Sequence, residues 1–187
     1  QLAWLDRLRP PPGWRTDRAV LSTYSAHLSV VAASLLALEA QDADDDASAP
    51  GTRVGLGRAL SRLRGRVHVI VQAGRVTVGA SKPSPIVALL DRFLIECPWD
   101  ESAGKGGQSW HAKFALVRQV PVDATHQRGA SRWVFLMGSR NLTKDVSWDL
   151  GLHLCAEATD QDVPAGHERK AVAGIPALLE SLVAEPF

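Results

Sequence analysis

Trp110-His111-Ala112-Lys113-Phe114-Ala115-Leu116-Val117, followed after a gap by Gly138-Ser139-Arg140-Asn141-Leu142-Thr143, decides how this chain is read. The first run reads as part of a strand over Trp110–Gln119, and on a strand successive side chains alternate between faces. His111 and Lys113 then project to one side, and Trp110, Ala112, Phe114 and Leu116 to the other. One side carries chemistry and the other is core.

A strand that sets an imidazole beside an ammonium, with a Gly-Ser-x-Asn turn after the next strand, is equipped to hold a phosphate. The imidazole serves as nucleophile or as acid, while the ammonium and the Asn amide donate to oxygens that gain charge in the transition state. That assigns His111 as nucleophile or acid, Lys113 and Asn141 as phosphate ligands, and Ser139 as a further donor. A lone histidine on a strand is more often a hydrogen-bonded structural group. The company of Lys113 and Asn141 gives His111 its weight, whereas a turn serine such as Ser139 has ordinary structural uses.

His111-Ala112-Lys113 and Gly138-Ser139-Arg140-Asn141, in that order, resemble the signature of the phospholipase D-like superfamily. The usual motif also carries an Asp five residues after the Lys, where this chain has Arg118. Without it, the pattern resembles the variant in tyrosyl-DNA phosphodiesterases, which keep the His, Lys and Asn. Family members place an acidic residue, usually Glu, on the strand after the turn. Asp149 stands at the matching position, and the resemblance implies that it orients the imidazole.

The resemblance implies a covalent phosphohistidine and no metal or other cofactor. Members build one site from two His-x-Lys motifs, one His attacking phosphorus and the other protonating the leaving oxygen. Of the six histidines here, only His111 has a Lys two residues on. The second half of the site is expected from a C2 homodimer, whose isologous interface pairs a patch with itself, or from another part of the polypeptide.

The rest of the chain bounds these expectations. It has 187 residues, 45% hydrophobic and 22% charged, enough for one ordinary globular core. Lys+Arg total 21 against 20 Asp+Glu, so the net charge of +1 does not mark a nucleic-acid binder and any such site needs local clustering. Two cysteines, Cys97 and Cys155, are too few for a disulfide framework and lack metal-ligand spacing, which predicts a cytoplasmic location. The longest apolar run, around residues 30–38, is far short of the roughly 20 residues of a membrane span. Opening at Gln1 and reaching Pro10-Pro11-Pro12 at once, the chain reads as a piece of a larger polypeptide.

Residues 1–17 read as an N-terminal extension or linker and 18–187 as one domain, which the resemblance makes phospholipase D-like. Ala19–Tyr24 is a buried strand and His27–Ala40 has apolar residues at helical spacing. Residues 41–51 are acidic and breaker-rich, a solvated loop. Leu56–Leu63 is helical, Arg66–Gln72 a β-branched strand, and Pro85–Glu96 a helix opened by proline and stopped at Cys97-Pro98. Strands Trp110–Gln119, Arg132–Met137 and Trp148–Ala156 follow, then a helix over Ala171–Ala184. The fold class is α/β, a mixed β-sheet flanked by helices, and the element order is that of one phospholipase D-like half-domain.

A phosphodiesterase centre with basic flanks suits a nucleic acid, with DNA ahead of RNA, and no membrane. Arg140, Lys144 and Lys105 are the expected substrate contacts, and Trp110 or Trp99 could stack on a base. The arginines at 53, 58, 62, 64 and 66 either line a groove or form a solvated helix face. His153, four residues after Asp149, reads as structural, and Val54-Gly55-Leu56-Gly57 lacks the leading strand and third glycine of a dinucleotide site. Two functions stay open. One is a metal-independent nuclease, by family analogy in DNA restriction or antiviral defence. The other is a catalytically silent module for dimerisation or nucleic-acid binding.

Overall fold

Ser22 and Phe114 face each other across the pairing that holds the domain together, between strands β1 (Trp14–Thr23) and β6 (Phe114–Pro121). The computed structural model describes residues 2–39, 53–79, 85–98, 109–123, 130–144 and 150–158. On its other side β1 pairs in parallel with β3 (Val67–Gln72), which pairs in parallel with β5 (Leu94–Cys97). Beyond β6 come antiparallel β7 (Ser131–Gly138) and β8 (Gly151–Ala158), so the order is β5-β3-β1-β6-β7-β8. The fold is α/β, with a mixed sheet flanked by helices.

Parallel pairs need crossovers, and helices supply them. Between β1 and β3 lie α2 (Leu28–Glu39) and α3 (Arg53–Leu63). Between β3 and β5 lie α4 (Pro85–Leu90) and a 3₁₀ turn, Asp91–Phe93. Val31, Leu35 and Leu38 of α2 and Leu60 and Leu63 of α3 cover Leu21, Val69, Val71, Ala115 and Val117 of the sheet. Each fully buried side chain of this size contributes about 1.5–3 kcal/mol. His27 caps α2, its Nδ1 accepting from the Ser29 N–H at 3.3 Å, and Thr16 Oγ1 on β1 donates to the Leu38 carbonyl at the other end, 2.6 Å away.

Glu39 ends α2 half-buried and is paired with Arg62 at 3.1 Å. Burial raises its carboxyl above the ordinary range, and the Arg62 partner opposes that rise without cancelling it. This pair absorbs one member of the arginine run. Arg64 and Arg66 are exposed and lead into the start of β3, the sheet edge opposite the one where β1 and β3 end.

Several sequence expectations are corrected. The helix expected over Pro85–Glu96 stops at Leu90, and its last third becomes β5, because Leu94–Cys97 pairs with Val69–Gln72 and the residue before Pro98 is steered towards extended backbone. The active strand begins at Phe114 rather than Trp110 and runs to Pro121; His111, Ala112 and Lys113 lead into it. Ahead of residue 18, Leu2–Leu8 forms helix α1, Leu8 is buried in the shared core, and β1 starts at Trp14. The acidic loop around 41–51 and the expected helix over Ala171–Ala184 lie outside the described residues.

A second, two-stranded element sits near the sheet edge. There β2 (Ala26–His27) pairs in parallel with β4 (Val76–Thr77), and Ala26 also bridges to Leu142. It ties the chain after β1, the chain after β3 and the chain after β7 into one frame.

Candidate active site

Antiparallel strands alternate in direction, so one edge of this sheet gathers the ends of β1, β3, β5 and β7 with the beginnings of β6 and β8. In open α/β sheets the carboxyl ends of parallel strands leave a crevice beside which ligands bind. Here the segments at that edge are 23–25, 72–75, 110–113 and 138–142.

The His-x-Lys segment is stitched onto the sheet by two side chains that the sequence did not single out. Gln72, buried at the end of β3, accepts from the Trp110 N–H at 2.6 Å and donates to the Cys97 carbonyl at 3.1 Å. Ser22 Oγ, on β1, accepts from the Trp110 indole N–H at 3.0 Å and donates to the Ala112 carbonyl at 2.7 Å. The Gly138 N–H donates to the Lys113 carbonyl at 3.2 Å, joining the segment to the end of β7. An irregular stretch thus gains backbone partners that its missing ladder would have supplied.

On that support His111 and Lys113 share one side. Lys113 Nζ lies 3.0 Å from His111 Nδ1 and donates to the His111 carbonyl at 3.0 Å. His111 is exposed and Lys113 half-buried, and desolvation lowers the Lys113 ammonium below the ordinary lysine range. The Tyr24 ring lies 4.9 Å from the imidazole, centre to centre, tilted by 47°. Lys113 Nζ is 6.0 Å from the centre of the same ring, and the Arg75 guanidinium carbon is 5.2 Å from it.

Asn141 joins this edge through the frame. Its Oδ1 faces the Ser25 N–H and the Thr23 hydroxyl, each at 3.4 Å, while Thr23 Oγ1 accepts from the Leu142 N–H at 3.0 Å. The His27 N–H donates to the Leu142 carbonyl at 2.8 Å, locking the turn after β7 against β2. An asparagine whose oxygen faces its frame has its amide nitrogen for an anionic ligand.

Of the other expected residues, Ser139 and Arg140 follow β7 directly and Lys144 is exposed two residues beyond Leu142. Trp110 is half-buried, its indole N–H held by Ser22. Lys105, Trp99 and Asp149 lie outside the described residues; β8 begins at Gly151 on this same edge. His153 sits within β8 opposite Leu136. Burial lowers its pKa, and Arg7 and Arg132 add to the effect.

Arg118, where the phospholipase D-like motif has Asp, lies about 17 Å along β6 from Lys113 at the usual strand rise. It is paired with Asp17 at 2.9 Å, and its guanidinium carbon lies 6.0 Å from the centre of the Trp133 ring. Its identity therefore bears on the outer sheet face and not on the His111 group. Among the described residues no group of three or more His, Cys, Asp or Glu side chains is gathered as metal ligands. Nor is any helix among them long and apolar enough to cross a membrane.

Residues missed by sequence reasoning are Tyr24, Arg75, Gln72, Ser22 and Thr23. One signal was available for three of them: Gln72, Ser22 and Thr23 are polar residues that close the apolar runs Val69–Val71 and Ala19–Leu21, at the ends where a sheet displays a site.

No protein-family model matches this chain, and no curated protein does. Among solved structures it is similar to a crystal structure of a mutant yeast tyrosyl-DNA phosphodiesterase. That match has 13% sequence identity and a TM-score of 0.46, over 90% of this chain and 31% of that one.

Proposed function

We propose that this chain is one half of a metal-independent phosphodiesterase acting on nucleic acid, with His111 at its centre. The observation that carries the reading is the placing of the His111 imidazole, the Lys113 ammonium and the Asn141 amide at one sheet edge. Imidazole nitrogen attacks phosphorus, the bond from phosphorus to the leaving nucleoside oxygen breaks, and a second histidine gives that oxygen its proton. Water then gives a proton to that second histidine and attacks the phosphohistidine, releasing the phosphate monoester and freeing the imidazole. Lys113 and Asn141 hold the non-bridging oxygens as charge builds on them. Asp149, two residues before β8 in the sequence, orients the ring, and Ser139, Arg140, Lys144 and Lys105 extend the contacts to substrate.

The second histidine comes from a second copy of the chain or from a second such half. Exposed apolar side chains on the outer face of β7 and β8, among them Met137, Leu152 and Leu154, support a partner. DNA is the preferred substrate, and restriction or defence against foreign DNA the preferred setting.

Cleavage of labelled single- and double-stranded DNA in EDTA tests the reading, with His111→Ala alongside. Cleavage by the parent and none by the variant supports it. Equal cleavage by both removes His111 from the chemistry. Nucleic-acid binding without cleavage by either, from a confirmed dimer, supports the silent module instead.

A further inference from the structure

Among the described residues four arginines carry carboxylate partners: Arg9 with Asp6, Arg62 with Glu39, Arg118 with Asp17 and Arg132 with Glu157. Arg75 does not. It is exposed, and among the described residues no carboxylate reaches salt-bridge distance of it. Its guanidinium instead lies against the Tyr24 ring, which on its other contacts meets His111 and Lys113.

The position of Arg75 is fixed by backbone. Its N–H donates to the Gln72 carbonyl and its carbonyl accepts from the Ala26 N–H, both at 3.0 Å. Gly74 just before it has φ +72°, a conformation that disfavours other residues, and the Gly74 N–H donates to Glu96 at 3.0 Å. A turn so constrained projects one cation from the end of β3 beside the His111 group. The flat ring of Tyr24 then restricts the guanidinium, which lowers the entropy lost on binding an anion.

We infer that Arg75, held on Tyr24, is a second phosphate subsite that takes the phosphate next to the one at His111 and Lys113. It makes the ligand an oligonucleotide strand rather than an isolated phosphodiester. Successive phosphates of a strand recur at a few ångströms along the axis, about 3.4 Å in duplex DNA. Arg75 and Lys113 lie 5.2 Å and 6.0 Å from the centre of the same ring, hence no more than about 11 Å apart, which puts them within a few nucleotide steps of one strand. This rests on the reading above for what occupies His111, but the binding it describes needs no turnover.

Binding of a fluorescent single-stranded oligodeoxynucleotide by anisotropy, in EDTA over a series of salt concentrations, tests the subsite. His111→Asn serves as background so that no cleavage intrudes. Arg75→Ala should weaken binding about tenfold, the scale of one charge-assisted hydrogen bond. It should also flatten the dependence of log K on log salt by about 0.7, the value for one lost phosphate contact on a single strand. Tyr24→Leu should weaken binding with the slope kept. Arg58→Ala, on α3, is the comparison.

An Arg75 variant that binds as the Arg58 variant does, with an unchanged slope, overturns the subsite. So does the absence of measurable oligonucleotide binding. If the parent protein cleaves nothing yet the Arg75 effect on slope is present, the subsite stands and the catalytic reading fails.

Discussion

Lys113 Nζ lies 3.0 Å from Nδ1 of His111 and 3.5 Å from its Nε2, so one ammonium stands across both nitrogens of the imidazole. An ammonium only donates, and a phosphate oxygen is a stronger acceptor for it than a ring nitrogen. Phosphate binding should therefore draw Lys113 off the imidazole and leave a ring nitrogen open to phosphorus. Long-range ¹H–¹⁵N correlation spectra should show the His111 ring nitrogens shifting when inorganic phosphate is added, and shifting much less in Lys113→Ala. Ring resonances that do not respond to phosphate would show that Lys113 stays on the imidazole.

Desolvation lowers the Lys113 pKa, so Lys113 loses its charge at a lower pH than an ordinary lysine does. Its folded pKa is depressed, so its contribution to stability is present above the unfolded pKa and is lost as pH falls through the folded one. Phosphate binding works the other way, since it needs the ammonium. The expected result is an alkaline limb in kcat/KM that falls below the ordinary lysine range near 10.4. Lys113→Arg should remove that limb at some loss of rate, and a pH profile that is the same for both proteins assigns the limb to another group.

Gln72 should prove a positioning residue. Replacing it with Met keeps the volume but leaves the Trp110 N–H without its acceptor, at about 1–3 kcal/mol for an unsatisfied group, while the Cys97 carbonyl keeps the Ala73 N–H at 2.8 Å. Urea unfolding should show that loss. Because the same bond fixes the segment carrying His111, kcat should fall well beyond KM. Gln72→Glu keeps an acceptor for Trp110 and loses the donor to Cys97, so it should recover part of kcat. Equal activity in all three proteins would detach the stitch from the site.

Arg118→Asp restores the Asp of the phospholipase D-like motif, and it should not raise activity. It sets two carboxylates side by side with Asp17 and removes the Arg118 contact with Trp133. Stability should fall by about 1 kcal/mol, most at low salt, since both partners are partly exposed. A gain in phosphodiesterase rate from this variant would mean that position 118 communicates with the sheet edge.

Element type was legible wherever local pattern and tertiary demand agreed. The β-branched run Val67–Gln72 could only be a buried strand, and the helical spacing over His27–Ala40 falls within one residue of α2 at each end. Pattern failed at Leu94–Cys97, where apolar residues at helical spacing were taken by pairing with β3, a demand invisible without the fold. The company of His111 and Lys113 was visible because two residues apart on extended backbone means one side. The contributions of Tyr24 and Arg75 were not, because they come from 87 and 36 residues upstream of His111 and meet it only through sheet order.

The bond from Ser22 to the Ala112 carbonyl spans 90 residues of chain, and it lies in the pairing that the site depends on. Closing so long a loop has a large entropic cost that no local contact offsets beforehand, and such topologies fold slowly. His111, Lys113 and the turn after β7 can be adjacent in sequence order long before the end of β1 comes to meet them. A nascent or partly refolded chain thus carries all the reactive groups without any reactivity. Activity during refolding should appear late, in step with closure of the central sheet.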